Sequence, residues 1–377
     1  MALPKMVLGV NGIRLLGQRS GVGRVIEAIL RCMETVEHPF RSIRVYSPRP
    51  LPADVRLPAC AENVVLPSPL PPGLWEQFVL PRGHGPRNLL FCPSYVIPLL
   101  ARCPTFLVHL GSYEGYPQDF SWWALNKARV IYALSARRAT VVSTLSEHSR
   151  RDMSRFYHIP AEKIEVIPAG VDTTSFRPMS DPVPIAAWRR ATFGADVPFI
   201  VYVGKPIRRR NLPSLLEAFA ASKKAARIPH KLLLVGTGLP GTTPVESVIE
   251  RLGMQREIIT LSYASHEEMV LIYNAASLLV YPSSYEGFGL PVLEAMACGT
   301  PAIALNNTAF PEFAGGVALL LEDAAPSTLQ NAIESVLSDS EQQAQMRAAG
   351  PERATAYDWH SITGRYVELM KKALRRS

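Results

Sequence analysis

The chain is poor in cysteine, in charge and in long apolar runs, and each shortage removes a class of protein. Its five cysteines (Cys32, Cys60, Cys92, Cys103 and Cys298) are scattered, with no Cys-x-x-Cys pair. So odd and unpatterned a set offers neither a disulfide framework nor a zinc site, and a reduced, cytosolic chain is expected. The eight histidines show no metal-ligand spacing either. No apolar run reaches about 18 residues, the length that marks a membrane-spanning helix. The apolar stretch ahead of Asn11 and Gly12 is too short for the core of a secretory signal and reads as a first strand. Charged residues make up 19% of the chain and hydrophobic ones 47%, which is the balance of a packed globular protein.

The charge that is present leans one way, with 40 Lys and Arg against 32 Asp and Glu, a net +8. Such an excess favours anionic partners: nucleotide diphosphates, phospholipid head groups or nucleic acid. No zinc-finger spacing or RNA-recognition motif supports the last of these, so nucleic acid is not expected. A chain of 377 residues exceeds the size at which single cores stop growing, so two domains of about 150–200 residues are expected.

Proline is plentiful, with thirteen between Pro48 and Pro104. Strands at 63–66 and 88–92 fit between them, but long helices do not, so irregular loops are expected there. Elsewhere short β-prone runs alternate with helical periodicity. In the first half the strands fall at 6–10, 105–110, 140–144 and 163–168, with helices from Val22, at 121–138 and at 146–157. In the second half strands at 199–203, 231–235, 258–261, 276–281 and 302–305 alternate with helices at 213–221, 290–298, 328–337, 341–355 and 359–375. Repeated strand–helix alternation predicts an α/β protein built on parallel sheets with helices on both faces. Ligands on such sheets sit at the carboxyl ends of the strands. Glycine turns fall there at Gly204, at Gly236 to Gly238, at Gly287 to Gly289 and at 312–316, and a further turn at Ser20 to Gly23 opens the first helix. The polar, proline-bearing segment 178–184 places a domain boundary near Pro178.

The most informative stretch is 281–301, YPSSYEGFGLPVLEAMACGTP. A buried strand leads into a glycine-rich turn and then a short helix. Pro291 suits the first helical turn, Gly299 the position just past its end, and Pro301 prevents continuation. The turn presents unpaired backbone N–H groups at a helix N-terminus, a setting suited to a phosphate. Glu294 stands on an otherwise apolar helix, where a carboxylate costs desolvation unless it binds something. A ribose diol, with two O–H donors, would satisfy it.

With Glu286 and Glu294 eight residues apart, this stretch resembles the E-x7-E signature of retaining glycosyltransferases of family 4, which have the two-Rossmann GT-B fold. The resemblance implies two parallel-sheet domains with a cleft between them. Residues 1–178 would form the acceptor-binding domain and 179–356 the nucleotide-sugar-binding domain. The helix in 357–377 would cross back to the first domain. It also implies that Glu286 and the amides of Gly287, Phe288, Gly289 and Leu290 meet the donor sugar and diphosphate, while Glu294 holds the ribose. Residues 21–25 (GVGRV) resemble the family's GVGRY segment, with Val25 in place of the aromatic; Gly21 and Gly23 would line the diphosphate and acceptor sites. His109 ends a strand as the family's His-Asp pair does, beside the donor sugar, with Leu110 replacing the aspartate. Residues 167–178 resemble its IPNGVD…F.P segment, with Ala169 in place of the asparagine. After Gly204, Lys205 and Arg210 stand where the family usually carries arginine and lysine, and Arg209 matches the arginine before that lysine. Tyr263 and Ala264 lie where the base packs in similar enzymes.

The chemistry follows from the leaving group, a diphosphate that gains negative charge as the glycosidic bond breaks. No Asp-x-Asp occurs in the chain, which argues against metal-dependent GT-A chemistry, whereas fixed cations are present. The expectation is a hexosyltransferase with no metal and no cofactor beyond its nucleotide-sugar co-substrate. GDP-mannose is the first choice of donor, with UDP- and dTDP-hexoses behind it. The acceptor would be a glycan, a lipid-linked saccharide or a small molecule in surface polysaccharide synthesis. The basic helices at 121–138 and 146–157 add an expectation of peripheral contact between a cytoplasmic enzyme and an anionic membrane. A GT-B phosphorylase or epimerase and a non-catalytic nucleotide-binding protein stand as alternatives.

Overall fold

In the computed structural model, which describes residues 6–17, 21–111, 113–237 and 245–376, the alternation resolves into two parallel sheets. Ser20 and Gly238 of the glycine turns lie outside the described residues. One compact unit holds the chain up to Gly170 together with the residues from Asp358 onward, and the other runs from Val171 to Tyr357.

The first unit is built on β1 (Met6–Asn11), β2 (Phe40–Ser47), β3 (Ala61–Val65), β4 (Leu89–Cys92), β5 (Thr105–His109), β6 (Val141–Thr144) and β7 (Ile164–Val166). Their order across the sheet is β3-β2-β1-β4-β5-β6-β7, so the winding reverses between β1 and β4. Val10 of β1 lies opposite Val45 on one side and Phe91 on the other. Every residue of β4, β5 and β6 is buried, as expected of a parallel sheet covered on both faces. Its helices are α1 (Gly21–Cys32), α2 (Pro72–Phe78), α3 (Trp122–Arg138) and α4 (Glu147–Tyr157). Gly21 and Gly23 stand inside the first turn of α1, not in a turn before it.

The second unit carries β8 (Phe199–Val203), β9 (Lys231–Val235), β10 (Ile258–Leu261), β11 (Leu278–Tyr281), β12 (Ala302–Leu305) and β13 (Leu319–Leu321). The order β10-β9-β8-β11-β12-β13 repeats the same reversal, here between β8 and β11, where Leu279 pairs with Val201. Around it lie α5 (Val183–Phe193), α6 (Leu212–Lys224), α7 (Glu246–Leu252), α8 (His266–Ala275), α9 (Leu290–Ala297), α10 (Phe310–Ala314), α11 (Pro326–Ser338) and α12 (Ser340–Thr355). A core of Ile200, Tyr202, Leu216, Phe219, Leu232 and Leu278 joins sheet and helices. Two parallel-sheet Rossmann-like units of this kind constitute the GT-B fold.

The last helix, α13 (Trp359–Arg375), belongs to the first unit. Its Tyr366 is fully buried, with ring centroids 6.1 Å from Phe91 and 5.9 Å from Phe106. The division falls after Gly170, not near Pro178, because the next residues are already tied into the second unit. The Val171 N–H donates to the Tyr357 carbonyl, Phe176 packs on His266 and Tyr273, and the Met179 N–H donates to Asn274 Oδ1 at 2.8 Å. The segment expected as a linker runs into α5, where Pro184 lies in the first helical turn. The expected glycine turn at 312–316 begins instead as the last three residues of α10.

Helix α9 is held by α12, which crosses it at Gly350. A Cβ at Gly350 would stand 2.5 Å from the Met296 carbonyl oxygen of α9. Gly350→Ala gains up to about 1 kcal/mol of helix propensity. Forcing apart two packed backbones costs more, typically about 1–3 kcal/mol. The substitution is therefore expected to lower the unfolding free energy measured in urea; an unchanged or higher value would contradict this packing.

Candidate active site

The winding reversal in the second unit leaves the loops after β8 and β11 side by side at the carboxyl edge of the sheet, where open α/β sheets bind ligands. The first loop runs from Gly204 through Lys205 to the 3-10 turn Arg208–Arg210; the second runs from Pro282 to the start of α9. They are laced together. The Ser284 N–H donates to the Arg209 carbonyl at 2.7 Å, Arg209 Nε to the Tyr285 carbonyl at 3.1 Å, and Asn211 Nδ2 to the Pro282 carbonyl at 2.8 Å and to Ser284 Oγ at 2.7 Å.

The centre of this lacing is an ion pair. Arg210 Nε donates to Glu286 Oε1 at 2.9 Å, and the two side chains keep only 17% and 13% of their exposure. The same oxygen accepts from Tyr281 Oη at 2.9 Å and from Ser283 Oγ at 3.1 Å. Burial pushes the Glu286 pKa up, but the guanidinium charges of Arg210 and Arg209 and these hydrogen bonds outweigh it, so the carboxyl stays below its ordinary value. For Arg210, burial works against the charge; Glu286, Tyr281 and Tyr202 more than offset it and hold the guanidinium charged. Its guanidinium also lies 5.6 Å over the Tyr281 ring. Gly204, at φ +137°, makes room for this arginine, since a Cβ there would come 2.2 Å from an Arg210 terminal nitrogen. Lys205 is exposed beside it.

Past Glu286 the chain enters α9 through Gly289, at φ +117°, where a Cβ would meet the Phe310 ring at 2.5 Å. The Phe288 side chain turns inward and stacks on Phe313, with centroids 4.6 Å apart, so this residue offers its backbone. Among the described residues, no carbonyl or side chain accepts from the amides of Gly287, Phe288, Gly289 or Leu290. Four donors at a helix N-terminus beside fixed guanidinium groups are a setting suited to an anion. Further along α9, Glu294 is 3% exposed, and its Oε2 accepts from Tyr273 Oη on α8 at 3.0 Å. The buried carboxylate thus has a protein donor, a partner the sequence had left to a ligand.

The structure brings Gly204, Lys205, Arg209, Arg210, Glu286 and Gly287 to Leu290 together at one sheet edge, with Glu294 about one helical turn further on. Tyr263 and Ala264 stand apart, after the edge strand β10; the tyrosine is 64% exposed. Gly21, Gly23 and His109 belong to the first unit. His109 is fully buried at the end of β5, with its ring against Tyr95, Tyr132 and Tyr157 at 5.1–5.4 Å between centroids. Among the described residues, neither of its ring nitrogens has a hydrogen-bond partner. Burial lowers its pKa to about 3, with the Asp152 charge opposing, so the imidazole is neutral near pH 7. Sequence reasoning missed Tyr273, Tyr281, Ser283 and Asn211, whose roles come from tertiary pairing and carry no local motif.

Known proteins share this architecture. The family model described as Glycosyl transferases group 1 matches residues 187–353, and the one described as Glycosyltransferase Family 4 matches residues 19–175. The O-antigen chain mannosyltransferase B of Escherichia coli is 28% identical over 242 residues, covering 62% of this chain and 61% of that protein. The chain spans about half to three fifths of the length of the curated relatives it first matches. Among solved structures, the sucrose-phosphate synthase of Thermosynechococcus elongatus superposes with a TM-score of 0.79 at 20% identity, covering 99% of this chain and 100% of that one. Anabaena HepE in complex with UDP-glucose gives 0.77 at 20% identity, covering 97% and 99%.

The ion pair predicts a pH signature. Because the folded pKa of Glu286 lies below its ordinary 4.5, its contribution is complete above that value and is lost as the pH falls through the folded pKa. At pH 7, Glu286→Gln leaves Arg210 without its counter-charge and is expected to cost about 2–4 kcal/mol in urea unfolding. The gap to wild type should narrow as the pH falls below 4.5. A gap that stays constant from neutral to acid pH would contradict the pairing.

Proposed function

The chain belongs to glycosyltransferase family 4, a family of enzymes, and from that premise we propose that it transfers a hexosyl group from a nucleotide sugar to an acceptor hydroxyl, with retained anomeric configuration and no metal ion. The observation that carries this reading is the pairing of the largely buried Arg210 with Glu286 beside the four uncommitted amides that open α9. The diphosphate rests on the amides of Gly287 to Leu290, with Lys205, Arg209 and Arg210 offsetting the charge that grows on it as it leaves. Glu294, oriented by Tyr273, takes the ribose hydroxyls. Glu286 commits Oε1 to its three protein donors and turns Oε2 to the sugar hydroxyls. The base packs near Tyr263 and Ala264.

In the transfer step the bond from the anomeric carbon to the phosphate oxygen breaks. The acceptor oxygen bonds to that carbon from the same face, and its proton passes to the departing phosphate oxygen. The products are a glycoside and a nucleoside diphosphate. The named activity of the E. coli relative supports mannose, and hence GDP-mannose, as the first choice. UDP- and dTDP-hexoses are the second reading, with UDP-glucose prompted by the HepE complex. The acceptor is a glycan or lipid-linked saccharide of a surface polysaccharide.

A thermal-shift screen of GDP, UDP, dTDP and ADP at matched concentration tests the donor site. A ligand at about 100 times its Kd stabilises the native state by about 2.7 kcal/mol. GDP is expected to give the largest rise in Tm, Glu294→Ala to abolish it, and Glu286→Gln to retain it while transfer is lost. No shift with any nucleotide, or an equal loss of shift in the two variants, would refute the assignment.

A further inference from the structure

The winding reversal of the first sheet carries a cavity of its own. The loops after β1 and β4, together with α2 and α3, line a groove of about 390 Å³, within the size range of small-molecule pockets. Two charged side chains border it, and each is fixed by a neighbour that leaves part of it uncommitted. Glu76 of α2 is 5% exposed. Its Oε1 accepts from Asn11 Nδ2 at 2.7 Å, and Asn11 is itself oriented by the Ile13 N–H, which donates to Asn11 Oδ1 at 3.3 Å. Among the described residues, nothing donates to Glu76 Oε2. Burial pushes the Glu76 pKa up, with the Asn11 hydrogen bond and the Arg14 charge opposing. Arg14 is held in a similar way. Its Nε donates at 2.8 Å to Oγ of the fully buried Ser94, and its terminal nitrogens donate to none of the described residues.

The remaining walls are apolar and aromatic. Ile13, Val96 and Ile131 supply aliphatic surface, and Tyr95 and Tyr132, stacked with centroids 5.1 Å apart, supply ring surface. Tyr95 has φ +62°, and the Val96 N–H reaches back to the Ser94 carbonyl at 2.7 Å, closing a γ-turn around it. A bulky residue so held is strained, and such strain gathers at binding sites.

The chemistry of an occupant follows from these groups. Glu76 Oε2 calls for an O–H donor, the Arg14 terminal nitrogens for oxygen acceptors, and the tyrosines for an apolar ring face. A hydrocarbon chain would leave both charged groups unpaired, which costs their desolvation. An anionic group would meet the Glu76 charge, which also offsets that of Arg14; Lys127 lies at the exposed rim. A neutral sugar ring meets all three demands. We infer that the groove is a subsite for such a ring, selected by Glu76 and Arg14, with Glu76 Oε2 accepting from one hydroxyl and Arg14 donating to a neighbouring oxygen. Binding of a sugar stands on the groove alone; that this sugar is the acceptor, and that these two residues set acceptor specificity, rests on the transferase reading above.

Saturation-transfer difference NMR titrations of the full chain test the subsite. The probes are the methyl α-glycosides of mannose, rhamnose, glucose, galactose and N-acetylglucosamine, with mannose 6-phosphate as the anionic comparison. At least one glycoside is expected to bind, and Glu76→Gln and Arg14→Ala should each weaken it at least about tenfold. Glu76→Gln keeps the Asn11 bond through its carbonyl oxygen but turns N–H donors toward the groove. Arg14 is exposed, so Arg14→Ala tests the subsite whether or not Glu76→Gln folds. Glu286→Gln should leave glycoside binding unchanged, which separates this subsite from the sugar end of the donor site. The thermal shift with nucleoside diphosphate should persist in both groove variants, showing an intact fold. No glycoside binding by the wild type overturns the proposal and leaves the donor site standing if the nucleotide shift is present. Glycoside binding untouched by either groove variant overturns it as well. Tighter binding of mannose 6-phosphate, lost in Arg14→Ala but kept in Glu76→Gln, would make the groove an anion site and also overturn it. Groove-dependent glycoside binding without any nucleotide shift would uphold the subsite and sink the donor site instead.

Discussion

A largely buried arginine needs a counter-charge, and the way this chain supplies one to Arg210 shapes the second unit. Leaving the guanidinium unpaired would cost several kcal/mol. Glu286 meets it from a loop 76 residues away, so the loops after β8 and β11 close on each other and α9 is fixed at the meeting point. Room for the pair comes from Gly204, and Tyr281 and Ser283 hold the carboxylate from below the loop. The pair is neutral as a whole. Net attraction for an anion therefore comes mainly from Lys205, Arg209 and the amides at the start of α9, which the pair holds in place with the Arg210 guanidinium beside them. Rigidity and affinity are thus assigned to different groups, and a rigid frame of charges is what stabilises charge that develops during a reaction.

The same topological device is used twice. Each sheet reverses its winding between its first and fourth strand, β1 with β4 and β8 with β11, and each reversal sets two loops at the carboxyl edge of its sheet. In the second unit those loops carry Lys205, Arg209 and the uncommitted amides that open α9. In the first they border a groove between α2 and α3 that combines Glu76, Arg14 and Ser94 with tyrosine rings. The neutral His109 lies behind that groove, its ring packed against Tyr95 and Tyr132 of the lining.

What could be read from the residues was local. Helix α13 stands at the bounds its periodicity gave, and α9 carries Pro291 in its first turn and ends before Gly299, because caps and apolar spacing act over a few residues. Strand β2 escaped notice because Arg41, Ser42 and Arg44 break up its apolar residues, and β13 because it is three residues long. Helix α5 was hidden by Pro182 and Pro184, which punctuate linkers but equally open helices. At the site, the cations and glutamates were legible as types, whereas their pairing was not. Arg210 looked like a free cation until the fold brought Glu286 to it, and Glu294 lacked a partner until α8 supplied Tyr273. Such contacts depend on strand order, which no short motif encodes.

The central claim is that this frame exists to bind a diphosphate, and calorimetry tests it most directly. Affinity would be measured for guanosine, GMP and GDP in the wild type and in Arg210→Ala. The account predicts that each phosphate tightens binding in the wild type, with GDP at least about a hundredfold tighter than guanosine. The gain should largely collapse in Arg210→Ala. Equal affinity for guanosine and GDP in the wild type, or a phosphate gain untouched by the substitution, would contradict it.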